Sequence, residues 1–157
     1  MLKRFFISLF TFALIMTLMV LALLRPVRTE ADKLCFSALG QLGAAYEYAV
    51  CEPGRAFDCS SFTSYIYGLY GINLPRDARA TGYLKSGVRI EDMHDLRRGD
   101  VVCFDTVEDD DKSDHVGIYL GRGEFVHASS EKGHVVVSLL AEYVGVYSWG
   151  VRVMDLE

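Results

Sequence analysis

The sequence predicts an α+β domain in which helices come first along the chain and pack on a central antiparallel β-sheet that follows. Apolar residues recur at helical spacing up to about residue 86. From residue 101 onward, short apolar runs are separated by turn residues, as is typical of strands. This segregation of helices and strands distinguishes α+β folds from alternating βαβ folds. A length of 157 residues and a globular composition, 51% hydrophobic and 24% charged, suit one domain with a sizeable core.

The N-terminus forms a separate segment. Two basic residues precede an uncharged apolar run over residues 5–24, and these 20 residues are enough to cross a bilayer as a helix. A secretory signal usually has a shorter apolar core of about 7–15 residues, followed by small residues at the cleavage site, and that pattern is poor here. We therefore expect residues 1–31 to be an uncleaved signal-anchor, with a cleaved signal peptide as the alternative, and residues 32–157 to be the folded domain. Both alternatives export that domain, either tethered to the membrane or secreted.

The exported domain is acidic. The whole chain has a formal net charge of −5, and residues 1–31 contribute four basic residues against one acidic residue, which leaves −8 for the domain. Proteins that bind nucleic acid neutralise its phosphates with lysine and arginine, so they carry the opposite charge. The charge therefore excludes nucleic acid as an expected partner.

Three helices are predicted in the first half of the domain. The first follows the N-terminal segment and ends at Gly43. The second covers residues 59–70, and Gly71 suits the left-handed position after its last turn. A short third helix covers residues 78–86. The Pro-Gly pair between the first two helices predicts a loop over residues 50–57.

Five strands are predicted in the second half. An acidic stretch after the first of them, VEDDDKSD, is expected to be a solvated loop, because its spacing does not fit a calcium-binding loop. A tight Gly-Arg-Gly turn joins the second and third strands into a hairpin. The strands cover residues 101–106, 115–121, 124–130, 134–140 and 148–154.

The four cysteines fit neither a zinc-binding pattern nor a dense disulfide scaffold. Cys103 lies in an apolar strand, where a cysteine behaves as a small hydrophobic residue. An exported chain can form disulfides, and the sequence allows a Cys35–Cys51 bridge. If Cys59 is a free nucleophile, three cysteines remain, so they cannot all be paired.

Cys59 stands at the start of the second predicted helix, in the sequence AFDCSSF. Asp58 is a suitable N-cap residue, which places Cys59 in the first turn. There the helix dipole and the free backbone N–H groups favour a thiolate, and the same N–H groups can hold an oxyanion. This stretch alone is equally compatible with a catalytic nucleophile and with a buried structural cysteine.

A nucleophilic cysteine also needs a base, usually a histidine. Of the four histidines, His94 lies in a polar loop and His134 at the start of a strand, and both are expected at the surface. His115 and His127 lie on the two strands of the predicted hairpin, so they are the candidates for work at a common site.

The hairpin turn decides whether these two histidines share a face of the sheet. With a two-residue turn, residue 121 pairs with residue 124, so the numbers of any two paired residues sum to 245. His115 and His127 then point to opposite faces of the sheet. With a three-residue turn over 121–123, in which Gly123 adopts the left-handed conformation of a bulge, the numbers sum to 244. His127 then pairs with Gly117, and His115 is its diagonal neighbour on the same face, roughly 7–8 Å away at the backbone. The glycine at position 123 favours this second arrangement.

Four stretches of the chain together resemble the NlpC-type cell-wall peptidases, which are papain-like cysteine peptidases related to the CHAP domains. The resemblance extends from about residue 36 to residue 153 and implies a papain-like, NlpC-type fold. It rests on the sequences FDCSSF (57–62), LPR (74–76), DLRRGDVVCFDT (95–106) and HVGIYLGRGEFVHAS (115–129).

The resemblance implies which residues are catalytic. Cys59 would be the nucleophile, His115 the general base, and His127 the polar residue that orients the imidazole of His115. In the expected mechanism, a Cys59 thiolate paired with protonated His115 attacks an amide carbonyl. No metal and no cofactor is expected to take part.

The resemblance also implies a substrate-binding set and shows two departures from the family pattern. Ala49 and Val50 stand where the family often has two glycines, and Ser61 stands where a glycine often follows the nucleophile. These departures are expected to change the walls of the substrate groove. The implied substrate-binding residues are Tyr46, Asp58, Ser60 and Arg76.

The implied substrate is a peptidoglycan stem peptide, most often cut between γ-D-glutamate and the diamino acid, and the implied role is remodelling or turnover of the cell wall. The exported domain would face the wall or the periplasm. An amidase or an acyltransferase that uses the same Cys/His pair is the alternative. A non-catalytic, membrane-tethered wall-binding module and a structural membrane protein are rival interpretations that leave the Cys/His pattern without a use.

Overall fold

The computed structural model describes residues 29–107 and 113–153, together with Phe12, residues 14–17 and Met19. The predicted signal-anchor of residues 1–31 lies largely outside these residues, and so does the centre of the predicted acidic loop. Within the described residues, no helix is long and apolar enough to cross a bilayer.

A mixed β-sheet of nine strands forms the centre of the described part of the chain. The strands are β1 Ala45–Tyr46, β2 Cys51–Glu52, β3 Ala56–Phe57, β4 Val88–Ile90, β5 Val101–Phe104, β6 His115–Gly121, β7 Glu124–Ser129, β8 His134–Leu139 and β9 Tyr147–Arg152. Their order across the sheet is β2-β3-β1-β8-β7-β6-β5-β9-β4. β1 and β3 pair in parallel, whereas the other neighbours pair antiparallel. The prediction of an antiparallel sheet is therefore wrong at this edge.

The four short strands β1 to β4 were not predicted, because two or three residues are too few for an apolar periodicity to be visible. The predicted loop over residues 50–57 contains β2 and β3. The five predicted strands are confirmed, each with both ends within two residues of the prediction.

Between residues 29 and 101 lie three α-helices, each preceded by a residue whose side chain accepts a hydrogen bond from the helix backbone. The helices are α1 Glu30–Leu39, α2 Cys59–Gly68 and α3 Ala78–Gly82, with the N-caps Thr29, Asp58 and Asp77. All three end earlier than predicted, and α1 stops at a Gly40 cap rather than at Gly43. Two 3₁₀ helices cover Met93–Asp95 and Leu140–Tyr143.

Strand β5 is buried on both faces. Val101 and Cys103 belong to the main core, which also contains the apolar residues of α1 and α2. Val102 and Phe104 belong to a second, smaller core. Because successive side chains of a strand point to opposite faces, the two cores lie on opposite sides of the sheet. The helices therefore pack on one side, which brings the start of α2 next to β6 and β7.

The β6–β7 hairpin has the predicted register but a different turn. The turn residues are Arg122 and Gly123, with φ of 58° and 79°, and positive φ at both positions is typical of a type I′ turn. Next to the turn, Gly121 pairs with Glu124, so the two residue numbers sum to 245. An irregularity in β6 between Tyr119 and Gly121 then shifts the pairing by one residue. Ile118 consequently pairs with Val126, which sums to 244. The predicted three-residue turn is wrong, and the predicted register is confirmed.

All four cysteines are free thiols. The Cys35–Cys51 bridge that the sequence allows is not formed, because the two side chains have different neighbours. Cys35 Sγ donates to the Tyr119 carbonyl at 3.6 Å, and Cys51 Sγ donates to the Ser61 carbonyl at 3.9 Å. Cys103 is fully buried in β5, as predicted.

A buried ion pair, here called the Asp100 clamp, joins the end of β9 to the turn before β5. Arg152 donates from Nε to Asp100 Oδ1 at 2.9 Å and from Nη2 to Asp100 Oδ2 at 2.7 Å. The Asp100 carboxylate also accepts the N–H of Arg97 at 2.7 Å. Only 3% of Asp100 is exposed. Two parallel hydrogen bonds of this kind fix both the distance and the orientation of the pair.

Candidate active site

Cys59 is the first residue of α2, and its side chain is almost fully buried. Asp58 Oδ1 accepts the N–H of Ser61 at 2.6 Å, and Ser61 Oγ accepts the N–H of Asp58 at 2.9 Å. This reciprocal pair is a capping box, which satisfies two backbone donors that the helix itself cannot. The predicted N-cap role of Asp58 is confirmed, and Cys59 is held in the first turn.

Ser61 stands where the family pattern often has glycine, and its hydroxyl connects two parts of the site. It donates to the Val50 carbonyl at 2.6 Å while it accepts from Asp58. The first turn of α2 is thereby tied to the segment that leads into β2. Ser61 itself is fully buried, so the expectation that this departure changes the groove wall is wrong. Its effect is to anchor the helix.

A cleft of about 670 Å³ opens over Cys59. It lies between the first turn of α2, the β1–β2 segment, the start of α3 and the residues before β6. All four residues of the predicted substrate-binding set line this cleft together with Cys59. The other lining residues are Tyr48, Ala49, Asp77, Ala78, Arg79, Ser113 and Asp114.

Ala49 and Tyr48 form an exposed lip of the cleft. Ala49 has φ of 61°, a left-handed conformation that costs an L-residue free energy and that glycine adopts without strain. This conformation explains why glycine suits the position in the family pattern. Tyr48 is 86% exposed although it lines the cleft. The departure at Ala49 therefore lies in the groove wall, as expected.

His115, His127 and Ser138 form a continuous line of hydrogen bonds, here called the histidine row. His115 Nε2 lies 2.7 Å from His127 Nδ1, and His127 Nε2 lies 3.0 Å from Ser138 Oγ. The two imidazole rings are nearly perpendicular, at 81°. Both histidines are buried, as is Ser138. The prediction that the two histidines share one face of the hairpin is confirmed, and they make a direct contact.

Gly117 makes this contact sterically possible. A Cβ at position 117 would lie 2.8 Å from Phe125 Cδ2 and 3.1 Å from His127 Cβ. Both distances are shorter than ordinary van der Waals contact, so a larger residue would displace the His127 ring or its aromatic neighbour. The predicted space between the histidines is therefore provided by this glycine.

Burial controls the charge of the site. It raises the pKa of the Cys59 thiol to about 11, and the nearby Asp58 carboxylate acts in the same direction. The backbone N–H groups of Val116, Ser60 and Cys59 stabilise the thiolate, but they do not offset the loss of solvation. Burial also lowers the pKa of His115 to about 4. Each shift favours the neutral form of its group, which opposes the expected resting pair of thiolate and imidazolium.

His127 is neutral for the same reasons. Burial lowers its pKa to about 3, and the adjacent His115 contributes in the same direction. Because each imidazole then carries one N–H, one ring nitrogen of each histidine is a hydrogen-bond acceptor. His115 uses Nε2 toward His127, so Nδ1 is its remaining ring nitrogen.

His94 and His134 are exposed, as predicted. Among the described residues, no group of three or more His, Cys, Asp or Glu side chains is placed to hold a metal ion. Sequence reasoning missed Ser138, the third member of the histidine row. The available signal was one serine in the apolar strand sequence HVVVSL.

Comparison with known proteins places this chain in a family. Residues 43–153 match the model of the NlpC/P60 family. Over 115 residues the chain is 33% identical to the murein DD-endopeptidase MepH of Escherichia coli K12, covering 72% of this chain and 42% of that protein. It is 32% identical over 121 residues to a γ-D-glutamyl-L-lysine dipeptidyl-peptidase of Bacillus cereus, covering 73% of this chain and 35% of that protein. The chain thus spans less than half the length of these curated relatives.

A solved structure confirms the fold. RipD of Mycobacterium tuberculosis, a non-catalytic NlpC/p60 domain protein adapted to peptidoglycan binding, superimposes with a TM-score of 0.65 at 23% identity. The match covers 81% of this chain and 99% of that one. The α+β architecture, the capped cysteine and the family match agree, and the chain belongs to the NlpC/P60 family.

Proposed function

We propose that the protein is a cysteine endopeptidase that hydrolyses peptide bonds in peptidoglycan stem peptides during remodelling or turnover of the cell wall. The observation that carries the proposal is the cleft itself. Cys59, at the start of a capped helix, lines this cleft and is stabilised as a thiolate by the backbone N–H of Val116, the second residue of β6. The first residue of β6, His115, is half of a hydrogen-bonded histidine pair. A cysteine that served only the core would need neither the cleft nor the pair.

The reaction begins from neutral groups. His115 Nδ1 removes the thiol proton while Cys59 Sγ forms a bond to the carbonyl carbon of the substrate amide. The N–H of Cys59 and a neighbouring N–H of the first turn stabilise the negative oxygen of the tetrahedral intermediate. His115 then gives its proton to the leaving amine as the C–N bond breaks.

The second half of the reaction regenerates the thiol. His115 removes a proton from a water molecule, whose oxygen attacks the thioester carbon. The C–S bond breaks, the acid product leaves, and Sγ recovers its proton from His115. In both halves His127 accepts a hydrogen bond from His115 Nε2–H and so stabilises the imidazolium that forms transiently.

The lining of the cleft supports a substrate with both carboxylate and amine groups, as stem peptides have. Arg76 supplies a guanidinium, which suits carboxylate recognition. Asp58 Oδ1 already accepts from Ser60 Oγ and from the Ser61 N–H, which leaves Oδ2 for a substrate amine. Tyr46 adds a phenol beside the nucleophile.

Within this proposal, the bond cut is the one between γ-D-glutamate and the diamino acid. The Bacillus cereus relative is named for a bond of this type, and the Escherichia coli relative, at similar identity, is named for a DD bond. The DD bond is therefore the competing candidate. Residues 1–31 are proposed to anchor the domain to the membrane on the side of the wall, with secretion after cleavage as the alternative.

The test is digestion of purified peptidoglycan and defined muropeptides, followed by mass analysis of the products. Wild-type protein should release γ-D-glutamyl fragments, and Cys59→Ala should release none while keeping its unfolding midpoint. Cys51→Ser is the matched control, because Cys51 is a half-buried cysteine outside the cleft, and it should digest like wild type. Digestion by Cys59→Ala would refute the proposal.

The same masses distinguish the alternatives. An amidase would release intact stem peptides from the glycan, and an acyltransferase would yield products joined to an added amine. A wall-binding module would sediment with peptidoglycan and release nothing. Membrane fractionation and the intact mass of the protein made in cells would test the anchor, since a cleaved signal peptide removes about 31 residues.

A further inference from the structure

We propose that Ser138 is a positioning residue that holds His127 in the one tautomer that the charged form of His115 requires. This inference rests on the proposed cysteine mechanism. It concerns the far end of the histidine row, beyond the two histidines that the family resemblance identifies.

His127 is engaged at both ring nitrogens. Its Nδ1 lies 2.7 Å from His115 Nε2 and its Nε2 lies 3.0 Å from Ser138 Oγ, and both distances are those of hydrogen bonds. The ring is 1% exposed, so solvent does not offer a replacement partner. A neutral imidazole has a single N–H, and therefore His127 donates at one end and accepts at the other.

Two proton arrangements satisfy the resting row. In the first, His115 Nε2–H donates to His127 Nδ1, and His127 Nε2–H donates to Ser138 Oγ. In the second, every donor is reversed: Ser138 Oγ–H donates to His127 Nε2, and His127 Nδ1–H donates to His115 Nε2. Because His115 Nε2 then accepts, the proton of His115 is on Nδ1. Only the first leaves a lone pair on His115 Nδ1 to accept the thiol proton.

The reaction makes the first arrangement obligatory. When His115 takes the proton of Cys59, both of its ring nitrogens carry hydrogen, so Nε2–H has to donate. His127 Nδ1 then has to accept, and the single proton of His127 has to be on Nε2. Ser138 Oγ is the only side-chain acceptor within hydrogen-bond distance of that N–H among the described residues. Without it, a donor is buried unpaired at the moment when the charge forms.

Position in the sheet explains how Ser138 reaches His127. Strands β7 and β8 pair His127 with Val136, so Ser138 is two residues further along β8 and on the same face. This diagonal relation is the same one that joins the histidines across β6 and β7. The row therefore crosses three adjacent strands, and its geometry is fixed by their register.

The experiment compares Ser138→Ala and Ser138→Thr with wild type by muropeptide kinetics and by ¹⁵N NMR of the imidazoles. Ser138→Ala should lower kcat by roughly tenfold to a hundredfold with KM nearly unchanged, because the lost acceptor matters only once His115 is charged. Ser138→Thr keeps a hydroxyl and should restore most of kcat. In the NMR spectrum, wild-type His127 should be the Nε2–H tautomer, and Ser138→Ala should shift the population toward Nδ1–H.

Ser37→Ala is the matched control. It removes a hydroxyl that is hydrogen-bonded to Tyr70 at 2.8 Å on the α1 side of the molecule, and it should change neither kcat nor the imidazole spectrum. A Ser138→Ala protein with unchanged kcat, or a wild-type His127 that is the Nδ1–H tautomer, would overturn the inference. The tautomer is measured without substrate, so it tests Ser138 even if digestion fails and the peptidase proposal falls.

Discussion

The histidine row and the Asp100 clamp are two buried polar clusters in one sheet that handle charge in opposite ways. In the clamp, Asp100 and Arg152 are both ionised and neutralise each other through two hydrogen bonds. In the row, burial keeps His115 and His127 uncharged and links them through neutral hydrogen bonds. The clamp therefore stabilises a fixed charge distribution, whereas the row holds two neutral imidazoles, each with one ring nitrogen that can still take up a proton.

The surroundings of the clusters agree with this difference. Next to the clamp, Tyr67 donates to the Gly99 carbonyl, so α2 is also attached to the turn that holds Asp100. The row instead lies among aromatic rings, with Phe125 and Tyr143 packed around His127. These rings offer no counter-charge, and the Asp114 carboxylate, which acts to raise the pKa of His115, does not offset the effect of burial.

Replacing His115, the proposed base, should produce the largest loss of activity. It should also show most clearly that the histidine row serves activity and the Asp100 clamp serves stability. His115→Ala removes the group that accepts the thiol proton, and kcat should fall by about 10³-fold or more. Stability should fall by less than it would for an unpaired buried charge, because the group left without its partner is the neutral His127 Nδ1. Muropeptide kinetics and urea unfolding measure the two quantities. Activity within tenfold of wild type would contradict the assignment of His115 as the base.

Breaking the clamp should have the reverse outcome. Asp100→Asn removes the buried carboxylate charge that Arg152 contacts through two hydrogen bonds, and it should lower the free energy of unfolding by about 3 kcal/mol. The activity of the remaining folded protein should be close to that of wild type. Urea unfolding measures the change, with Glu52→Gln at an exposed ion pair as the control that should leave the midpoint nearly unchanged. An equally small shift for both variants would show that the clamp is not a stabilising pair.

The reactivity of Cys59 sharpens the description of the resting site. Because burial raises its thiol pKa to about 11, alkylation by iodoacetamide at pH 7 should be roughly tenfold to a hundredfold slower than for an exposed cysteine, and should rise up to about pH 11. A Cys51→Ser background limits the reaction at other partly exposed thiols. The modified residue is identified by peptide mass. A plateau between pH 5 and 7 would indicate a thiolate–imidazolium pair instead.

The acid limb of stability tests the burial of the two imidazoles. The folded-state pKa values of His115 and His127, about 4 and about 3, lie below the value of about 6.5 for an unfolded chain. The unfolded chain therefore binds more protons in this range, so the contribution is complete above about pH 6.5 and is lost as the pH falls through about 4. Unfolding at several pH values measures the slope. The His115→Asn, His127→Asn double variant should flatten it, and an unchanged slope would argue against neutral buried imidazoles.

Local rules predicted the parts of the site that depend on neighbouring residues. Asp58 could be assigned as a helix cap from three consecutive positions, and the shared face of the histidines followed from counting across one hairpin. Ser138 could not be found in this way, because its contact with His127 also requires the register of β7 with β8. The short strands β1 to β3 lacked enough residues to show a period.

The resting charge of the site was also beyond the reach of local rules, for a different reason. The helix start at Cys59 favours a thiolate, and that contribution is present in the structure as backbone N–H groups directed at the sulfur. The opposing loss of solvation depends on how completely the fold covers Cys59 and His115. Burial of that kind is a property of the assembled domain, so the spacing of residues in the chain does not contain it.

The irregularity beside Gly121 determines which insertions and deletions between His115 and His127 keep the two imidazoles on one face of the sheet. It shifts the strand pairing by one residue from the pairing that the two-residue turn alone would give. This shift puts His115 and His127 on the same face of the sheet, where they make contact. Removing that one residue, or adding one to either strand, would turn one imidazole to the far side of the sheet while leaving a well-formed hairpin. Changes of two residues would preserve the phase. Related chains should therefore differ by even numbers of residues between the two histidines. An odd difference would mark a chain that keeps the fold and has lost the proposed reaction.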